Sequence, residues 1–156
     1  MTFLTLHVAL SLVGVVSGLA AAYAMVHGHY PPAMTAIFLA TTILTSATGF
    51  PLPPYGFDPP RVVGTLSLVL LAIAVAGIYV FKLAGRWRWI YINTALTALY
   101  LNCFVAVIQS FQKIPAVNAL APTQAEPPFL IAQVVLVVAF IAIGVMAIRH
   151  KRRDRI

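Results

Sequence analysis

Apolar residues run along the chain in five blocks, and most of the polar residues collect between them. Phe3 to Val26 supplies 24 residues, which at about 1.5 Å of rise each cover a hydrocarbon layer of ~30 Å with some tilt. The length of this block, and the lack of a positive segment before it, predict a retained span. Ala20-Ala21-Ala22 nevertheless resembles the small-residue cleavage site of a secretory signal. His27-Gly28-His29-Tyr30-Pro31-Pro32 breaks the block. A second block, 33–50, is interrupted by Thr35, Thr41, Thr42, Thr45, Ser46 and Thr48, yet its 18 uncharged residues suffice to cross. A re-entrant helix is the alternative reading there. The prolines between Pro51 and Pro60 remove backbone donors and restrict their neighbours, so that stretch is a rigid, non-helical connector. Further spans are expected at 62–83, 90–111 and 129–148, with a basic turn at Lys82, Arg86 and Arg88 and a second long connector over 112–128. The predicted fold is all-α, a polytopic transmembrane helical bundle of five spans, or four if the second is re-entrant. It forms a single transmembrane domain over 1–156 with a basic tail at 149–156.

Composition sharpens this picture. Apolar residues make up 62% of the chain and charged ones 8%, against about a quarter charged in soluble domains, so the solvent for most of the surface is lipid. The formal charge of +7 would suit a nucleic-acid partner, but its placement does not. Five of the ten basic residues are Arg149, Lys151, Arg152, Arg153 and Arg155, and Lys82, Arg86 and Arg88 form the second group. Both groups flank spans, where they read as topology signals and contacts to anionic headgroups. The expected partners are therefore the lipid bilayer and, through self-association or a heterologous contact, another membrane protein, with no nucleic acid. The Lys/Arg bias predicts a cytoplasmic 82–88 turn and C-terminal tail, which leaves the N-terminus and both proline-rich connectors outside. Cys103, the single cysteine, excludes an intramolecular disulfide and reads as a small buried hydrophobe.

The fourth span carries the most chemistry. Asn93, Thr94, Thr97, Asn102, Gln109, Ser110 and Gln112 interrupt it, and buried amides need partners. Helical spacing predicts a protein-facing or cavity-facing stripe through Asn93, Thr97 and Tyr100 that drifts to Asn102, Gln109 and Lys113. One reading is a hydrogen-bond ladder to the threonine-rich second span. The other is the wall of an outward-opening polar cavity with its mouth near Lys113 and with His7, on the first span, at the same level. In the outer loops Asp58, Arg61 and Glu126 are candidates for ion pairs, the two carboxylates also with Lys113. In the first span, His7, Ser11, Gly14, Gly18, Ala21 and Ala22 follow helical spacing as a narrow strip suited to close packing.

The four histidines raise haem as a further possibility, with His29 and His150 at one level and His7 a membrane away. No metal-ligand spacing supports a metal site, no phosphate-binding or paired-carboxylate motif supports an enzyme, and no cofactor is expected.

Two stretches carry a resemblance: Tyr100-Leu101-Asn102-Cys103-Phe104 through Phe111-Gln112-Lys113-Ile114-Pro115, and Leu120-Ala121-Pro122-Thr123-Gln124-Ala125-Glu126-Pro127-Pro128-Phe129. Mainly over residues 60–150, the chain resembles small uncharacterised inner-membrane proteins of proteobacteria. The resemblance implies a bacterial plasma membrane and assigns no activity. Two functional classes follow from the residues themselves: a structural or interaction protein of the membrane, and a small transporter or channel subunit. A haem or redox subunit is the third.

Overall fold

The computed structural model describes residues 2–52 and 59–151. Its long helices are α1 (Phe3–Val26), α2 (Pro32–Gly49), α3 (Pro59–Val75, continued by a π-helical turn at Ala76–Val80), α4 (Trp87–Lys113) and α6 (Pro127–Arg149), with a short α5 (Pro115–Asn118) in the last connector. All five long helices are apolar enough to cross a membrane, the threonine-rich α2 included. Lipid admits that helix because three of its hydroxyls bond within it. Thr41, Thr45 and Thr48 donate to the carbonyls of Ile37, Thr41 and Leu44 at 2.7, 2.8 and 2.7 Å, so the side chains present little unsatisfied polarity.

α4 is the hub. It touches α1, α2, α3 and α6, while α2 lies between α1 and α3, and α6 leans on α1. Its buried residues Tyr91, Ile92, Ala95, Leu96, Ala98, Leu99 and Cys103 share one broad face, a little under half the circumference at about 100° per residue, with Asn93 and Thr97 exposed on the other. α1 instead buries one narrow strip, Gly14, Ser17, Gly18, Ala21, Ala22 and Met25. At Gly18 the approach is closest: an added carbon would strike the Leu99 methyl and come within 2.8 Å of the Phe38 ring. Without a hydrophobic drive between helices in lipid, such backbone proximity is where dispersion contacts accumulate.

The chain also has to end each helix without leaving carbonyls bare. α1 closes with a Schellman turn, in which Gly28, at φ +75°, gives its N–H to Met25 and His29 gives its N–H to Ala24. Gly28 is required twice over, because a side chain there would also strike the Lys151 carbonyl. α6 is closed by a residue from another helix. Arg88 donates through Nη2 to Ala147 O at 2.7 Å and to His150 O, through Nη1 to Ile148 O at 3.4 Å, and through Nε to the Tyr30 hydroxyl at 3.1 Å. One guanidinium thus ties the α1–α2 turn, the start of α4 and the end of α6 together at the basic end of the bundle. At the opposite, connector end, Arg61 donates to Phe50 O and Leu52 O beyond α2. Asn118 and Gln124 donate to Phe111 O and Ile108 O of α4 at 2.8 and 3.1 Å.

The third span departs from a regular helix near its end. Phe81 N–H reaches back five residues to Ala76 O at 3.0 Å, and Gly77 lies against Tyr91 and Trp87. The chain then turns through Lys82, Leu83 and Gly85 at positive φ, with Leu83 buried and Phe81 stacked on Trp87 at 3.7 Å. Burial of the leucine and the ring stack offset the cost of left-handed backbone at two residues with side chains.

Two predictions test this packing. Gly18→Ala is expected to destabilise the protein by about 1–3 kcal/mol through overpacking. Gly64→Ala, where an added carbon meets nothing nearer than 3.7 Å, should be neutral or stabilising by up to about 1 kcal/mol. Thermal unfolding in lipid nanodiscs ranks the two. Arg88→Lys replaces a planar fork by a point charge that cannot serve four acceptors. A loss of about 1.5–3 kcal/mol is expected, together with faster amide exchange over the last turn of α6; wild-type exchange there would contradict the clasp.

Candidate functional site

Near the connector end, α1, α2, α3 and α4 surround a polar chamber of about 110 Å³, room for several waters. Each helix contributes: His7 and Ser11 from α1, Thr42 and Thr45 from α2, Arg61 and Ser67 from α3, and Asn102 from α4. The His7 ring is fixed by a 2.9 Å contact between Nδ1 and Thr48 Oγ1. Thr48 gives its own hydrogen to Leu44 O, so its oxygen accepts from His7 Nδ1–H, and Nε2 is the acceptor of the neutral ring. Ser11 Oγ donates to Asn102 Oδ1 at 3.0 Å.

That bond occupies the amide oxygen of Asn102 and leaves its nitrogen. Among the described residues, Asn102 Nδ2 and Thr42 Oγ1 are buried with no hydrogen-bond partner. They stand 3.3 and 3.1 Å from the point that a side-chain carbon on Gly14 would fill. The glycine therefore lets α2 and α4 bring a hydroxyl and a donor close against α1, and because both side chains also line the chamber, an unmet buried polar pair there favours water or a small polar ligand. One turn deeper, Gly18 meets Leu99 and Phe38, and Tyr30 and Tyr91, in edge contact at 5.9 Å, are buried beyond them. The chamber does not extend past this apolar contact, although Thr35 and the Tyr91 hydroxyl are buried on its far side.

The residues expected to form one stripe on α4 fall into two groups. Asn102 enters the chamber with His7. Asn93, Thr97 and Tyr100 instead line a separate groove between α4 and α6, where Asn93 donates to Trp89 O of its own helix at 2.8 Å and Tyr100 meets Phe140 edge-on at 5.7 Å. The rotation of α4 explains the split, since the nine residues from Asn93 to Asn102 make about two and a half turns and so leave the two side chains on opposite faces. Gln109 and Lys113 line neither space; Gln109 Oε1 is buried with no partner among the described residues, and Lys113 is exposed in the last turn of α4.

Of the expected outer ion-pair residues, Arg61 serves backbone carbonyls as described, and Asp58 lies outside the described residues. Glu126, at the start of α6, accepts from Thr123 Oγ1 at 2.8 Å, Thr123 N at 3.2 Å and Ala125 N at 3.1 Å. The Thr123 hydroxyl is the main cause that holds its carboxyl below the usual carboxylate range. No three His, Cys, Asp or Glu residues come together to hold a metal among the described residues. His150 lies beside Gly28, near His29 in the chain, while His7 is at the other end.

Several participants were not singled out from the sequence. Arg88 read only as a topology charge, and nothing local marks Tyr30 as its partner. Asn118 and Gln124 read as loop polarity. Gln133, whose two amide atoms are buried without a partner among the described residues, did carry a signal: it is a lone amide in the otherwise apolar α6.

Fold and chamber together define a class, the polytopic helical membrane protein with a small polar chamber at one end of its bundle. Comparison with known proteins adds no narrower assignment, since no family model, curated protein or solved structure matches the chain.

Thr42→Val tests the chamber. If water or a ligand bridges Thr42 and Asn102, losing the hydroxyl is expected to cost about 1 kcal/mol, seen as a lower Tm in nanodiscs; an unchanged or higher Tm would mean that the chamber is dry.

Proposed function

We propose that the protein is a structural or interaction protein of a bacterial inner membrane, working as an oligomer or with another membrane protein. The observation that carries this reading is the plug: the polar chamber stops at Gly18, Leu99 and Phe38, with Tyr30 and Tyr91 buried beyond. Among the described residues, a single chain therefore lines no continuous cavity from one end to the other. The connector after α4 supports an interaction role, because Asn118 and Gln124 pin it to the helix end while Ile114 and Leu120 are exposed on it. An ordered segment with exposed apolar side chains loses little conformational freedom on binding. The gathering of Lys82, Arg86, Arg88, Arg149 and Lys151 in one turn and one helix end supports a cytoplasmic basic end and an external N-terminus.

A transporter or channel subunit is the second reading, favoured by the unpartnered Thr42 and Asn102 atoms in the chamber. One set of measurements separates the two. Liposomes holding the purified protein are expected to pass small ions and neutral solutes no faster than empty liposomes. A photo-crosslinking residue at Leu120 should give one discrete adduct in native membranes, and reporters should read cytoplasmic after Ile156 and external near Asn118. Solute flux above the empty-liposome rate would overturn the structural reading in favour of transport.

A further inference from the structure

The groove between α4 and α6 has a volume of about 370 Å³ and is lined by Asn93, Thr97 and Tyr100 on one side and by Val137, Val145 and Ile148, among others, on the other. It is distinct from the chamber, and no other long helix covers it. Among the described residues α3 and α6 do not touch, so the face of α4 between them, with Asn93 and Thr97 exposed, is left to lipid. Gly144 keeps the groove open from the α6 side, where an added carbon would meet nothing closer than Leu96 at 3.8 Å.

Its length and position are informative. From Val137 to Ile148 the helix rises about 16 Å, close to half of a ~30 Å hydrocarbon core. The groove therefore spans about one leaflet, and it is the leaflet at the basic end, because Ile148 is the last residue before Arg149. Arg149 follows Val145 by four residues and continues the same face of α6. Arg86 precedes Asn93 by seven and returns to the same side of α4. Arg86, Arg149 and Lys151 are all exposed, and Trp89, 57% exposed, stands one turn before Asn93, as aromatic residues do at a membrane–water boundary. Among the described residues the lone carboxylate is Glu126, at the far end of α6. Arg88 is excluded from this count because its guanidinium serves the α6 carbonyls and Tyr30.

We propose that this groove is a binding site for an anionic phospholipid of the leaflet at the basic end, with one acyl chain along α4 and α6 and the phosphate between Arg86 and Arg149. A leaflet-deep apolar slot accounts for the chain, and two exposed cations at its mouth with no described carboxylate nearby account for the sign of the headgroup. A helix from a second copy would use the slot but would give the two arginines no role.

The test is native mass spectrometry of the full chain, released from nanodiscs made with equal parts of phosphatidylglycerol and phosphatidylcholine of matched chains. Wild type is expected to retain one phosphatidylglycerol in clear preference. Arg86→Gln and Arg149→Gln should each lower that preference about five-fold, the ordinary effect of one basic side chain at an anionic surface. Val145→Trp, which fills the slot, should lose both lipids while keeping the helical circular dichroism of wild type. Thr97→Trp fills the same slot from α4 and replaces Val145→Trp if that variant does not fold. Equal retention of the two lipids by wild type, or a preference untouched by both glutamine variants, would overturn the proposal. So would a dimer whose copies cross-link through cysteines placed at Val145 in a Cys103→Ala background.

Discussion

Where a helix ends at the edge of a hydrocarbon layer, its last carbonyls need donors that the lipid cannot supply. That constraint organises this protein. The strongest answer to it is Arg88, whose side chain spans Tyr30 and three carbonyls at the end of α6. α6 depends on it more than the other helices do, because Ala147 is its one buried residue and most of its large side chains face outward. The same chemistry recurs at the other end with different residues: Arg61 beyond α2, and Asn118 and Gln124 on α4. A guanidinium or amide from a neighbouring segment both satisfies the helix end and fixes the relative position of two elements, so termination and assembly are a single event.

Between these ends the bundle divides by polarity. Small residues on α1 let α2 and α4 approach, and the outcome depends on what faces them. At Gly18 the neighbours are Leu99 and Phe38, and the contact is dry and close. At Gly14, one turn away, they are Thr42, Thr41 and Asn102, and the same absence of a side chain brings polar atoms close against the helix beside the chamber. A chamber and its plug therefore come from one strip of helix. This arrangement keeps the chamber near the connector end, where water is closest, and leaves the half nearer Arg88 largely to aromatic and aliphatic packing, with Thr35 and the Tyr91 hydroxyl buried within it.

Much of the architecture was legible from the chain alone. The five apolar blocks, the breaks at Gly28 and the prolines, and the small-residue strip of α1 all rest on local rules of length, period and backbone restriction. The chemistry on α4 was legible only in part. Residue type marked Asn93, Asn102 and Gln109 as unusual in lipid, but their common stripe required a rotational phase that no neighbour had yet fixed. Once α1, α2 and α3 take one side of α4 and α6 another, Asn102 turns into the chamber while Asn93 and Thr97 face the groove.

The amino-acid sequence by itself determined that the solvent is lipid, how many segments can span it, and where the charges lie along the chain, because each depends on residues close together in the polymer. Which carbonyls Arg88 would serve, which amide would be left without a partner, and which glycine would face a ring or a hydroxyl were decided by tertiary structure. Those are matters of rotation about helix axes and of contacts such as Arg88 with Ala147 or Ser11 with Asn102, between residues 59 and 91 positions apart. Periodicity can propose a face, but only packing says what that face meets.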